Sequence, residues 1–249
     1  MSNTELVFGI HALEALLKSA PQRVHELLVL KGRQDQRLQK ILHSAERQQI
    51  PVRQVSRREL DERVDGNHQG IVALTDPGEI HDEGFLQSLL EKLESSNLAP
   101  FFLVLDGVTD PHNLGACLRS AEAAGAQAVI VPKDNSASLN ATVRKVACGA
   151  AEVLPLIPVT NLARLLKMLQ ARGVWTIGAA DEAQGSIYQA DLKGPLALVM
   201  GAEGKGLRRL TRECCDLLVN IPMAGTVSSL NVSVAAGVCL FEAVRQRAT

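Results

Sequence analysis

The chain has 249 residues, 46% of them hydrophobic, and its 26 Lys and Arg against 27 Asp and Glu give a net charge of −1. This hydrophobic content is ample for a packed core, and no apolar run approaches the roughly 18 residues of a membrane span. A charge so near zero argues against a protein that coats nucleic acid, although cations gathered on one face would still bind RNA.

The five cysteines are predicted to be neither metal ligands nor redox pairs. None forms a Cys-x-x-Cys pair, and no nearby His completes a metal site. An odd number without disulfide spacing indicates a reducing compartment. The N-terminus lacks the basic and apolar segments of a signal peptide. We therefore expect a soluble, cytoplasmic protein without a metal.

Residues 1–75 are predicted to form a small α/β domain. Helical spacing covers 7–17 and 37–48, strand patterns cover 24–30 and 51–55, and Ser56 with Glu59 has the spacing of a capping box. Residues 67–74 turn into a further strand. Cations near the strand ends form either a solvated face or a phosphate-contacting face: Lys31, Arg33, Arg37, Arg53, Arg57 and Arg58.

The interval 76–99 is predicted to be a linker. It contains Asp-Pro-Gly at 76–78, Asp-Glu-Gly at 82–84 and Ser-Ser-Asn at 95–97, which are typical of turns and loops. One amphipathic helix is predicted within it, from 85 to 93. Residues 76–100 carry a balance of −5, and this acidic interval separates two parts that each carry +2.

Residues 100–249 are predicted to form an α/β domain with a mostly parallel sheet. Phe101–Leu105 and Leu196–Met200 are continuous apolar runs, as in strands that are buried on both faces. Helices predicted at 114–124 and 139–147 alternate with strands at 128–131 and 153–156, which is typical of a sheet covered by helices on both faces. In such a sheet ligands bind beyond the C-terminal ends of the strands.

Three polar, glycine-rich loops occupy that position, after Leu105, Met200 and Val219. The glycines from Gly201 to Gly206 match neither the dinucleotide fingerprint nor a Walker A loop, so NAD or ATP binding is weakly supported. Arg119 has small and apolar neighbours and needs an anionic partner. That partner is either a structural carboxylate such as the one of Glu203, or a phosphate or developing oxyanion.

Three stretches resemble the motifs of the SpoU/TrmH RNA ribose 2′-O-methyltransferases. Leu105–Gly115 with Arg119 is similar to the first motif, Leu198–Gly206 to the second and Ile221–Ala235 to the third, in the same order along the chain. The resemblance extends over essentially the whole chain. Within the family, the chain is most similar to the members that methylate a guanosine ribose in 23S rRNA.

The resemblance implies a SPOUT α/β domain at 100–249 with a deep trefoil knot, and an N-terminal domain at 1–75 similar to the ribosomal protein L30-like fold that binds the RNA substrate. It also implies a homodimer, S-adenosylmethionine as methyl donor, and 23S rRNA or a large-subunit precursor as partner. Two other functions stay open: the same chemistry on tRNA or on an adenosine, and a non-catalytic RNA-binding homologue.

The site residues also follow from the resemblance. Arg119 would stabilise the developing alkoxide and bind phosphate, or act as a base with phosphate assistance. The residues that would orient Arg119 and the ribose are Asn113, Glu203 and Asn231. The residues that would hold the donor are Gly201, Ile221, Met223, Ser229 and Leu230.

Overall fold

The computed structural model describes residues 4–33, 35–64, 66–78 and 81–248, which form two compact units. The first unit comprises the described residues before 79 together with Cys148–Val153. The second comprises 81–147 and 154–248. Each unit has its own β-sheet. Within the described residues, no helix is long and apolar enough to cross a membrane.

The first unit is an α/β sandwich with a four-stranded mixed sheet. Its strand order is β1-β4-β2-β3, with β2 parallel to β3 and antiparallel to β4. Apolar side chains of α1, α2 and the sheet form the core, including Leu13, Leu16, Leu27 and Leu38. The elements are β1 (Glu5–Phe8), α1 (Ile10–Ser19), β2 (Val24–Leu30), α2 (Gln36–Arg47), β3 (Val52–Val55), α3 (Arg57–Arg63) and β4 (Ile71–Thr75).

The first strand departs from the sequence prediction, which placed a helix over 7–17. Val7 and Phe8 lie in β1, opposite Ala73 and Val72 of β4. Gly9, with φ of +93°, turns the chain between β1 and α1, a conformation that favours glycine. A strand this short shows no periodicity of its own, so only its pairing with β4 distinguishes it from the helix that follows.

The second unit contains a seven-stranded sheet in the order β7-β6-β5-β10-β8-β11-β9. Every pairing in it is parallel, which confirms the predicted α/β class. The elements are α4 (Glu83–Ser95), β5 (Phe101–Asp106), α5 (Pro111–Ala123), β6 (Ala128–Pro132), α6 (Ala141–Ala147), β7 (Leu156–Val159), α7 (Leu162–Ala171), β8 (Trp175–Ala179), β9 (Gly185–Ser186), β10 (Leu196–Gly201), α8 (Arg209–Cys214), β11 (Leu217–Asn220) and α9 (Val232–Arg247).

Helices cover this sheet and hold its core. All six residues of β5 are buried, as the continuous apolar run predicts. Helix α4, within the interval 76–99, contributes Leu86, Leu90 and Leu93 to a core shared with α7 and the strands. The interval therefore contains a core helix of the second unit. The strand predicted at 153–156 is observed at 156–159, and α8 is an element that the pattern did not predict.

Helix α9 closes the second unit by packing against α5 and β10. Near its C-terminus the buried Gln246 accepts a hydrogen bond from the Leu192 backbone and donates one to the Ala190 carbonyl, both at 3.0 Å. Hydrogen bonds from Arg245, and then from Gln246, lower the pKa of Glu242 to about 2. The last helix is thus bonded to the segment that precedes β10.

Candidate active site at the carboxyl edge of the parallel sheet

The loops after β5 and β10 meet because these strands are neighbours, with Gly201 opposite Asp106 in the register. Between the loops lies a cleft of about 430 Å³. Carboxylates, amides and cations share its wall with a few small residues, so it is suited to a polar ligand. The lining residues are Asp106, Gly107, Val108, Thr109, Asp110, Asn113, Asn135, Ala202, Glu203, Lys205, Gly206, Arg208 and Val232.

Three of the predicted catalytic residues form one hydrogen-bond network. The buried Asn113, on the first turn of α5, donates from Nδ2 to Glu203 Oε2 at 3.2 Å. Asn231, before α9, donates from Nδ2 to Asn113 Oδ1 at 3.0 Å. The structure therefore brings together residues that lie 90 and 118 positions apart in the sequence.

The chemistry of its two ends sets the direction of this network. The ionised carboxylate of Glu203 accepts but cannot donate, so Asn113 must present its NH₂ group there. The carbonyl of Asn113 then faces the NH₂ group of Asn231. Asn231 Oδ1 accepts from the Ser233 backbone N–H at 3.0 Å and from Ser233 Oγ at 2.6 Å, which caps α9. Each amide thus has one orientation in which all of these bonds are made.

A second interaction, between Asp106 and Arg208, holds the loop after β10 and was not predicted from the sequence. Asp106 Oδ1 accepts from Arg208 Nε at 2.6 Å and lies 2.5 Å from Nη2 in an ion pair, and Oδ2 accepts from the Arg208 backbone N–H at 2.9 Å. The Asp106 side chain is fully buried. A polar residue at the end of a fully buried strand was the available signal, but its partner lies 102 residues away.

The same loop is folded tightly upon itself. Ala202 and Gly206 exchange two backbone hydrogen bonds, of 3.1 and 2.8 Å. A Cβ atom on Gly201 would overlap the backbone of Gly206 and Leu207. Glycine at 201 is therefore a steric requirement of this closed loop.

The predicted donor residues lie at the end of β10 and in the segment between β11 and α9. Gly201 ends β10, and Ile221 directly follows β11. Met223 and Ser229 are exposed and Leu230 is half-buried in the segment that leads to α9. Among the described residues that line the cleft, none belongs to this donor set. Their contact with a donor stays a prediction.

Arg119, the fourth predicted catalytic residue, lies on α5 with an exposed side chain. It follows Asn113 by six residues, which corresponds to about 120° around the helix axis. The structure therefore places Arg119 on a different side of α5 from the amide network. Its catalytic role stays a prediction.

The Cys215 thiol lies close enough to Asp106 to be affected by its charge. Burial, and then the negative charges of neighbouring groups including Asp106, raise the pKa of the Cys215 thiol to about 12. That thiol is accordingly neutral at pH 7 and a weak nucleophile. Within the part of the chain that the structure describes, no group of three or more His, Cys, Asp and Glu residues is placed to hold a metal ion.

Known families and relatives match this chain over both of its units. Residues 100–241 match the SpoU rRNA Methylase family, and residues 6–80 match the family described as RNA 2′-O ribose methyltransferase substrate binding. The 23S rRNA (guanosine-2′-O-)-methyltransferase RlmB of Pseudomonas aeruginosa is 63% identical over 247 residues, which cover 99% of this chain and 98% of the relative. The chain belongs to the SpoU rRNA methylase family. The resemblance in the sequence motifs is thereby confirmed.

Solved structures of the SpoU family share the fold. A crystal structure of an RNA 2′-O ribose methyltransferase matches with a TM-score of 0.78 and 26% identity, covering 100% of this chain and 90% of that chain. The SpoU methyltransferase AviRb from Streptomyces viridochromogenes, solved in complex with AdoMet, matches with a TM-score of 0.76 and 24% identity, covering 99% and 92%. At such identity the second likeness concerns the fold alone.

Proposed function

We propose that this SpoU-family chain transfers a methyl group from S-adenosylmethionine to the ribose 2′-OH of a guanosine in 23S rRNA. The observation that carries the proposal is the hydrogen-bonded set of Asn113, Glu203 and Asn231, one residue from each of the three motif stretches. The 63% identity to a 23S rRNA guanosine methyltransferase over nearly the whole chain supports the same substrate.

We infer that the chain's own residues perform three tasks. The network orients the target ribose, because its amides are fixed from Glu203 to the start of α9 and provide a preorganised polar surface. When bound, S-adenosylmethionine supplies an electrophilic methyl group on its sulfonium. The hydroxyl is a weak nucleophile until it loses its proton. Arg119 binds a phosphate and stabilises the developing alkoxide. The proton of the hydroxyl passes to that phosphate or to water as the new oxygen–methyl bond forms and the methyl–sulfur bond breaks.

The proposed donor site comprises Gly201, Ile221, Met223, Ser229 and Leu230. One observation supports the fit. The closed loop at 201–206 requires glycine at its first position and so lets backbone atoms come close together there. The segment 222–229 is exposed and contains small polar residues, so its backbone groups are accessible to a ligand.

We also propose a trefoil knot in the second unit, formed by the segment between β10 and α9. In support, the chain leaves β11 near one side of the sheet and returns as α9 against α5 and β10, close to the middle. An experimental structure that traces residues 201–232 would test the threading. For the first unit we propose an L30-like fold and an RNA-binding role for residues 1–75, joined through 76–99 to the methyltransferase domain at 100–249.

A homodimer is proposed from the surface of α9. Val234 and Phe241, seven residues apart on one side of the helix, are 51% and 49% exposed. An apolar stripe of this kind is typical of a helix that packs against another copy. Light scattering on Phe241→Glu should then give a smaller mass than on the unmodified chain. An unchanged mass would contradict this interface. We also propose a cytoplasmic location, since ribosomal RNA is assembled there.

The decisive experiment incubates the purified chain with labelled S-adenosylmethionine and, separately, 23S rRNA, 16S rRNA and tRNA transcripts. Label recovered as 2′-O-methylguanosine at one 23S position is the expected result. Label in tRNA or in an adenosine would retain the chemistry and overturn the substrate. A large-subunit assembly precursor should be included. Donor binding without transfer to any of these RNAs would support the non-catalytic alternative.

The role of Arg119 is tested by Arg119→Ala. The loss of one electrostatic stabiliser should lower the transfer rate roughly 10²- to 10³-fold, with donor affinity retained. Arg172→Ala is a matched control, because Arg172 is an exposed residue at the end of α7 that pairs weakly with Glu91 and Glu94. Full transfer rates in the Arg119 variant would contradict the assigned role.

A further inference from the structure

The first unit contains a groove of about 500 Å³ between α1 and α2. Leu17 and Ile41 form its base, and both are buried in the core of the unit. Three exposed cations, Lys18, Lys40 and Arg47, line the groove. The groove is thus an open polar surface over an apolar base.

A side chain bridge fixes the two helices that border the groove. Gln48, just beyond α2, donates from Nε2 to the Leu17 carbonyl of α1 and to Ser44 Oγ, both at 3.1 Å. Leu17 and Ile41 pack in the same core cluster. The groove therefore has its shape before any ligand binds, which lowers the entropy cost of binding.

The three groove cations differ from most arginines of the same unit. Within the described residues, no carboxylate lies within 4.0 Å of Lys18, Lys40 or Arg47. In contrast, the following arginines form ion pairs with neighbouring carboxylates: Arg23, Arg33, Arg53, Arg57, Arg58 and Arg63. Arg53, for example, contacts both Glu26 at 3.1 Å and Glu59 at 2.9 Å.

The sequence left six cations of this unit open as a solvated or a phosphate-contacting face, and four of them form ion pairs: Arg33, Arg53, Arg57 and Arg58. A cation that already faces a carboxylate must give up that pair to bind phosphate, whereas an unpaired exposed cation releases only water and counterions. The groove therefore gathers three exposed cations of the second kind, while Lys31 and Arg37 are exposed cations of the same unit that lie outside it.

Negative charge in the groove is limited. Glu14 is the one carboxylate among the described residues that line the groove. Its Oε2 atom lies 3.9 Å from Nδ1 of His11, and it forms no ion pair with Lys18, Lys40 or Arg47. Lys40 and Arg47 are seven residues apart on α2, which separates them by about 10.5 Å along one side of the helix. An anion with repeated charges along its length suits this arrangement better than a single small anion.

We propose that this groove binds the sugar-phosphate backbone of the RNA substrate, through Lys18, Lys40 and Arg47. The proposal rests on the proposed function, because it names the surface by which the first unit holds that RNA. Backbone contacts of this kind position the RNA and add affinity without reading its sequence. The ion-paired arginines of α3 contribute little to binding.

The test compares a triple variant, Lys18→Gln with Lys40→Gln and Arg47→Gln, with a control double variant, Arg57→Gln with Arg58→Gln. Both remove exposed cations of the same unit, but the control removes paired ones. The Kd for unmodified 23S rRNA is measured over a range of KCl concentrations. The transfer rate is measured in single turnovers at saturating RNA. Thermal melting checks that both variants fold.

For the triple variant we expect at least a tenfold higher Kd and a salt dependence shallower by about 0.7–0.9 per cation, or roughly two to three in total. The rate at saturating RNA should stay within about twofold of the unmodified chain, because the groove only holds RNA. The control should change Kd by less than about twofold. An unchanged Kd and salt slope in the triple variant would overturn the groove assignment.

Failure of the proposed function gives a different result. If the unmodified chain methylates 23S rRNA and the triple variant binds it normally, the function stands and the groove is wrong. If the unmodified chain methylates no RNA, but the triple variant alone loses RNA affinity, the groove assignment stands and the catalytic function is wrong.

Discussion

Asp106→Asn tests whether the buried carboxylate holds the loop that carries Glu203. Asp106 accepts one hydrogen bond from Arg208 Nε on Oδ1 and one from the Arg208 backbone N–H on Oδ2, and its Oδ1 also pairs with Nη2 of Arg208. An asparagine has nearly the same shape, but one of its two terminal groups is an NH₂ donor. Whichever way it turns, that group faces an N–H donor of Arg208, so hydrogen bonds on that side are lost.

The magnitude follows from the charge and the exposure of the two residues. A hydrogen bond to a charged group contributes about 1.5–3 kcal/mol. The Arg208 side chain is 53% exposed, so its guanidinium recovers water when the carboxylate is removed. We therefore expect a loss of about 2–3 kcal/mol in the free energy of unfolding. For a chain of this size, that corresponds to a Tm lowered by roughly 4–12 °C.

The assay is a thermal melt together with the methyl-transfer rate on 23S rRNA. The transfer rate should also fall, because the displaced loop weakens the bond between Glu203 and Asn113. Arg209→Ala is the control. Arg209 is the next residue and also forms a 2.9 Å ion pair, with Glu213, but that pair is exposed. Such helix pairs contribute about 0.3–0.5 kcal/mol, so its Tm should change by at most about 2 °C.

Equal Tm values and transfer rates for Asp106→Asn and the unmodified chain would refute this reasoning. A lowered Tm with a full transfer rate would show that the pair stabilises the fold without positioning Glu203.

Three further outcomes are expected. Gly201→Ala should abolish donor binding measured by calorimetry, because its Cβ overlaps the closed loop, whereas Gly194→Ala, which meets no atom within 4 Å, should bind normally. The pKa of Glu242 is lowered to about 2 by its bond from Arg245, so its contribution to stability is full above pH about 4.5 and declines as the pH falls toward 2. Glu242→Gln should lower Tm at pH 6 and progressively less at pH 3, and equal losses at both would contradict this. Burial raises the pKa of Cys117 to about 12, whereas Cys148 is exposed. After iodoacetamide treatment at pH 8, mass spectrometry should therefore find Cys148 alkylated and Cys117 unmodified. Equal labelling of the two cysteines would contradict this.

Local chemistry was sufficient to predict many elements of this protein. Continuous apolar runs predicted β5 and β10, because strands in a parallel sheet are buried on both faces. Side chain caps were equally local. Ser56 Oγ accepts from the Glu59 N–H at 3.2 Å, at the spacing of a capping box. Asn161 likewise caps α7.

Other elements depended on contacts that no local pattern contains. Strand β1 is defined by pairing with β4 some 65 residues later. Helix α4 reads as an isolated amphipathic helix, and only its position against α7 and the strands shows that it belongs to a core. The sequence also did not determine which surface cations are ion-paired. Arg53 is one cation among several in the sequence, but in the structure it pairs with two carboxylates.

The sequence by itself determined the class of sheet, the three polar loops at its carboxyl edge and, through the motifs, the family. Only the tertiary structure decided that Glu203, Asn113 and Asn231 form one directed network and that Asp106 holds Arg208. The physical reason is range. Periodicity and caps act over a few residues along the chain, whereas hydrogen bonds form wherever folding brings a donor and an acceptor within about 3 Å.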